Sequence, residues 1–114
     1  MSDTIKIAVD AMGGDGSPKK VIDGIIHNYS KEKDNFYKIF GDKEQIFPLI
    51  NNKIDEQNFE IIHTQNQVKN TDTPLEAAKQ GKNTSMWLSI ESVKKNEADV
   101  VIFAKGFLLI EATT

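Results

Sequence analysis

Cysteine is absent from this 114-residue sequence, which excludes disulfides, thiolate metal sites and a cysteine nucleophile. It also agrees with a reducing, cytoplasmic setting. Only two histidines occur, His27 and His63. They stand far apart, with no carboxylate at a triad-like or metal-ligand spacing, so both read as surface or partly buried side chains. No basic block exists. The 14 basic and 17 acidic side chains leave a net charge of −3, and Lys19–Lys20 and Lys94–Lys95 are isolated pairs on solvated helix faces. A phosphate-tracking surface for nucleic acid is therefore not expected. The longest apolar run, Val100 to Ile110, is interrupted by Lys105 and Gly106, and it falls short of the roughly 20 residues that span a bilayer. Met1 to Thr4 is polar and lacks the pattern of a signal peptide. There is no internal repeat, linker or low-complexity segment.

What is present suits a single small domain over residues 1–114: 39% hydrophobic and 27% charged residues can supply one core with a solvated surface. Ile5, Ile7 and Val9 alternate within Thr4 to Val9 and predict a first strand. The glycine-rich segment Met12 to Gly16 follows. Ser17 and Pro18 then have the form of an N-cap with proline at the first helical position. Val21, Ile22, Ile25, Ile26 and Tyr29 recur at helical spacing over about three turns.

A second strand is predicted over Phe36 to Phe40, broken by Gly41. Asp42 and Gln45 form a capping-box pattern for a helix that Pro48 keeps short or kinked and that ends at Asn51–Asn52. Phe59 to Ile62 is the third strand, and Thr64 to Asp72 is a long polar loop. Thr73 and Glu76 frame a second capping box, with Pro74 between them, and open a short helix. Thr84 or Ser85 starts a longer one carrying Met86, Leu88, Ile90 and Val93, with Trp87 expected in the core. Asp99 reads as a turn residue at the start of a fourth strand, Ala98 to Phe103, while Leu108 to Thr114 fits no element. Alternating strands and helices predict an α/β fold with a parallel sheet and helices on both faces.

The most informative segment for chemistry is Asp10 to Pro18, between the first strand and the first helix. Open parallel sheets bind ligands beyond the carboxyl ends of their strands, and a helix N-terminus favours an anion. The spacing matches neither the dinucleotide nor the P-loop pattern. Two readings stay open on spacing alone: Gly13 and Gly14 as a tight turn with Asp15 as a polar loop residue, or a glycine loop that admits a phosphate. Lys82-Asn83-Thr84-Ser85 offers a second helix start, either a plain N-cap or an anion contact.

Ile7-Ala8-Val9-Asp10-Ala11-Met12-Gly13-Gly14-Asp15 with Pro18 resembles the opening signature of the phosphate acyltransferases of bacterial phospholipid synthesis. Gly41–Asp42, then Pro74, Ala77, Ala78, Lys79, Lys82, Ser85, Met86, Val93–Lys94 and Ala98–Asp99, follow the same family's order. The resemblance reaches Ile102. It implies transfer of a fatty acyl group from acyl-carrier protein to inorganic phosphate, giving an acyl phosphate for acylation of glycerol 3-phosphate. It further implies a fold like isopropylmalate dehydrogenase and phosphotransacetylase, a homodimer, a cytoplasmic location with loose membrane association, and no metal or organic cofactor. Asp10, Gly13, Gly14 and Asp15 carry over as the first loop of the site, and Ser85 as a further contact.

Three departures accompany the resemblance. The family chain is about three times as long. Trp87 stands where the family has arginine. Phe103-Ala104-Lys105-Gly106-Phe107 replaces a Ser-Ala-Gly-Asn-Thr-Gly-Ala turn. The expectation is an N-terminal fragment, inactive alone and the product of a decayed gene. The alternatives are a non-catalytic binding module for phosphate, acyl-carrier protein or an intact homologue, and a flavodoxin-like nucleotide or flavin binder.

Overall fold

The computed structural model describes residues 4–64, 84–103 and 109–111. Its strands are β1 (Lys6–Asp10), β2 (Phe36–Gly41), β3 (Phe59–His63), β4 (Val100–Phe103) and β5 (Leu109–Glu111). Its helices are α1 (Lys19–Lys31), α2 (Lys43–Ile50) and α3 (Ser85–Lys94), with a single 3-10 turn at Glu56–Asn58 before β3. The sheet runs β3-β2-β1-β4-β5. The first four strands are mutually parallel and β5 adds antiparallel to β4. The expected parallel α/β architecture is thus present. The β5 strand lies in the tail to which the sequence assigned no element.

Strand alternation sorts the core into two layers. Ile7 and Val9 of β1 and Tyr37 and Ile39 of β2 join Ile22 and Ile25 of α1 and Ile46 and Ile50 of α2 on one face. Ala8, Phe40, Val101 and Phe103 face the other way, onto Met86 and Val93 of α3. Helices therefore cover both faces, as a parallel sheet requires. Ile102, on the face of β4 opposite α3, remains 45% exposed.

Local rules explain most element ends, with corrections. The helix α1 starts at Lys19. Pro18, not Ser17, occupies its cap position, in helical conformation and without a side-chain cap. The Ser17 amide instead donates to the Gly14 carbonyl at 3.1 Å, which draws Ser17 into the preceding turn. Asp42 caps α2 by accepting from the Glu44 amide at 3.0 Å. Gln45 does not complete a reciprocal box, because its amide nitrogen donates to the Asp42 carboxylate at 3.0 Å. The helix α2 is short, with Pro48 near its end, and Asn52 in left-handed conformation (φ 65°) follows it. Thr84 caps α3, accepting from the Trp87 amide at 3.1 Å. Trp87 itself is half-buried and stands outside the buried core, contrary to expectation.

Asp99 does more than turn the chain. Its Oδ2 accepts from the Lys6 amide and its own amide donates to the Lys6 carbonyl, both at 2.8 Å, which sets β4 in register on β1. The polar loop beyond Thr64 and the helix expected from Pro74 lie outside the described residues.

Gly41 is closely enclosed. A Cβ there would meet Ile46 Cδ1 at 2.7 Å and Met12 Cγ at 2.8 Å, and both side chains are buried in the core. Replacing Gly41 by alanine is expected to destabilise the fold by roughly 1–3 kcal/mol through overpacking. Urea unfolding of Gly41→Ala against the parent chain measures it, and equal midpoints would contradict the packing described here.

Candidate functional site

Strands β2 and β3 lie on one side of β1, and β4 lies on the other. The chain reverses its direction of sheet growth between β1 and β4, at the carboxyl ends of both strands. This is where open α/β sheets hold ligands. Asp10 ends β1 there and pairs in register with Phe103, the last residue of β4.

Asp10 points to the α3 side and is almost fully buried, at 1% exposure. Its Oδ1 accepts two hydrogen bonds: from Ser85 Oγ at 2.5 Å and from the Met12 amide at 3.2 Å. Ser85 is the first residue of α3 and is also fully buried. One carboxyl oxygen thus joins the end of β1, the start of the glycine loop and the start of α3. Asp10 Oδ2 is buried and has no hydrogen-bond partner. Burial pushes the Asp10 carboxyl up to about 6, against the downward pull of its bonds to Ser85 and Met12.

The loop after Asp10 depends on glycine conformation. Gly13 and Gly16 have φ of 92° and 76°, in the left-handed region where a side chain is disfavoured. The tight turn is therefore held by Gly13 and Gly16, rather than by Gly13 and Gly14. Gly13 and Gly14 are half-buried, and Asp15 is exposed at the loop's outer end. Of the five candidate residues, Asp10 and Ser85 are in direct contact and Gly13 and Gly14 follow on the same loop, while Asp15 stands apart from the buried pair. Lys82 and Asn83 fall outside the described residues.

Thr84 Oγ1 takes the Trp87 amide of the first turn of α3, and the N-terminus of such a helix carries partial positive charge. All 14 basic side chains are lysines; the chain has no arginine. A guanidinium fork is thus unavailable from any position of this sequence. The sequence reading named Asp10 as a loop residue but missed its bond to Ser85. Only the buried hydroxyl at a helix start and the carboxylate at a strand end hinted at it.

A separate groove of about 590 Å³ lies on the opposite face of the sheet, walled by Val9, Val21, Ile25 and Ile102 and meeting the loop at Asp15 and Ser17. It does not include Asp10. The two histidines take no part in either feature: His27 is exposed, and exposed His63 accepts the Lys43 amide through Nδ1 at 3.0 Å, helping to start α2.

The chain matches the family described as "Fatty acid synthesis protein" over residues 5–106. Among similar curated proteins is a phosphate acyltransferase of Pelagibacter ubique (strain HTCC1062). It is 61% identical over 112 residues, which cover 96% of this chain and 33% of the relative. Phosphate acyltransferases of Streptococcus uberis and Listeria welshimeri are 37% and 39% identical, covering 87% and 88% of this chain and 29% of each relative. The chain spans about a third of the length of the curated relatives it matches.

A buried carboxyl whose proton is held above its ordinary value of 3.8 lowers stability when ionised. Between that value and about 6 the folded chain binds the proton more firmly than the unfolded chain does, so stability from this group falls as pH rises through the window. The shift corresponds to roughly 3 kcal/mol at pH 8. Asp10→Asn keeps an acceptor for Ser85 and Met12 without the charge. It is expected to unfold at higher temperature than the parent chain at pH 8, and the difference is expected to close toward pH 4. Thermal unfolding across that range decides it; a variant less stable than the parent at pH 8 would show that the carboxylate is compensated.

Proposed function

The chain belongs to the fatty acid synthesis protein family, whose curated members described above are phosphate acyltransferases, and we propose that it supplies the phosphate-binding part of such an enzyme. In this reading the whole enzyme moves a fatty acyl group from acyl-carrier protein to inorganic phosphate. A phosphate oxygen attacks the thioester carbonyl carbon, the carbon–sulfur bond breaks, and the sulfur leaves as a thiol carrying the proton that phosphate held. The product is an acyl phosphate, a donor for acylation of glycerol 3-phosphate. Acyl-carrier protein, a second copy of the chain and a loosely held membrane surface are the partners this reading includes, with the cytoplasm as its setting.

The observation that carries it is the Ser85–Asp10 contact at the reversal point of the sheet. It brings the glycine loop and the N-terminus of α3 to one place, and both present backbone amides suited to an oxyanion. Asp10, Gly13, Gly14 and Ser85 line that place, and Asp15 stands at its rim.

Turnover by the 114-residue chain alone is expected to be undetectable. Trp87 occupies the position where the resemblance calls for arginine, and no other arginine exists to replace it. The segment Phe103 to Phe107 also lacks the Gly-Asn-Thr turn that would add amides at the end of β4. A second reading, a non-catalytic module that binds phosphate, acyl-carrier protein or an intact homologue, is favoured by the exposed Ile102 beside an apolar groove.

Titration with inorganic phosphate, followed by amide NMR shifts, separates these readings from neither being correct. Shifts are expected at Gly13, Gly14 and Ser85; phosphate that leaves all three unmoved would remove the site. Acyl phosphate formation from acyl-carrier protein and phosphate is expected to be nil, and robust turnover would overturn the claim of inactivity. Trp87 is half-buried in the first turn of α3, so the site tolerates a long side chain there. Trp87→Arg is expected to tighten phosphate binding by about tenfold or more, the usual return of a charge-assisted hydrogen bond.

A further inference from the structure

The groove beside α1 leaves part of a parallel sheet uncovered. Its floor is Ile7 and Val9 of β1 with Ile102 of β4, and its wall is Val21, Gly24 and Ile25 of α1. The strand β4 is interior, between β1 and β5, yet Ile102 is 45% exposed. Parallel strands are ordinarily covered by helices on both faces. On the α3 side Met86 and Val93 meet that requirement. On the α1 side, among the described residues, α1 and α2 pack over β1 and β2 and leave Ile102 open.

Gly24 marks the same place independently. It lies in the middle of α1 and is exposed, and a Cβ built there would meet nothing within 4 Å. Its φ lies outside the left-handed region, so no turn requires a glycine there. Glycine is the poorest helix former after proline, and among the described residues neither conformation nor packing accounts for it. A glycine on a helix flank lets a second helix come close, at the usual separation of roughly 8–10 Å between axes. The groove follows α1 from Lys20 to Asn28, about 12 Å of helix.

The length of the family's chain says what can fill the groove. The 112 matched residues cover 33% of the Pelagibacter ubique relative, so most of that protein lies outside the match. We propose that the groove is the docking site of an apolar-faced helix from that outside part, which packs along α1 at Gly24 and covers Ile102. This deepens the reading of a module that binds a homologue, and it rests on that reading rather than on phosphate binding. The partner is the portion of the family's chain outside the match. An intact relative, whose own matched span already holds that portion, is not the partner.

The test is co-expression of the 114-residue chain with the part of the Pelagibacter ubique relative outside the matched span, as a separate polypeptide, followed by co-purification. A complex is expected. Gly24→Leu is expected to fold at least as stably as the parent, since leucine favours helix and finds open space. Its side chain fills the groove, so affinity for the outside part is expected to fall at least about tenfold. Asp23→Ala, next to Gly24 but outside the groove, is expected to leave the complex unchanged. If Gly24→Leu fails to fold, Ile102→Asp decides, with the same loss expected. Failure of the two polypeptides to co-purify overturns the proposal, and so does a complex that the groove substitutions leave at full affinity. Binding of the intact relative as tightly as the outside part overturns it while leaving a homologue-binding module standing. A dimer of the 114-residue chain alone that Gly24→Leu disrupts overturns it by assigning the groove to a second copy.

Discussion

A parallel sheet must be covered on both faces, and the rest of this structure follows from that constraint. With β1 at the centre, α1 and α2 bury one face through Ile7, Val9 and Ile39. The other face carries Ala8, Phe40 and Val101, and among the described residues it is buried by a helix that crosses back over β1. That helix is α3, and its crossing delivers β4 to the far side of β1. The same reversal falls at the carboxyl ends of β1 and β4, where Asp10 of β1 meets Ser85 of α3.

The same geometry explains why Asp10 is buried. Residues of β1 alternate between faces, so a residue two beyond Ala8 must point toward α3. Close approach of α3 is helped by small side chains: Ser85, Ser89 and Ser92 are all buried, and Ser89 and Ser92 turn their hydroxyls back to the Met86 and Ser89 carbonyls at 2.8 and 2.7 Å. Ser85 alone directs its hydroxyl off the helix, onto Asp10. A carboxyl left with one saturated and one unanswered oxygen is unfavourable for folding, and such groups concentrate where a ligand completes them.

Much of the architecture was legible in the sequence because it is local. The alternation of Ile7 and Val9, the helical spacing of Ile22 and Ile25, and Thr84 before Ser85 each report a period or a cap within a few residues. Errors arose where a local pattern met a competing partner. Ser17 looked like a cap, but Gly14 claimed its amide and Pro18 took the cap position. Gln45 stood at capping-box spacing, yet its side-chain nitrogen donates to the Asp42 carboxylate, a charge-assisted bond. Asp99 looked like a turn residue because its partner, Lys6, lies 93 positions away. The bond between Ser85 and Asp10 spans 75 positions, and neither spacing nor composition encodes such a distance. The resemblance named both residues as site members without revealing that they touch.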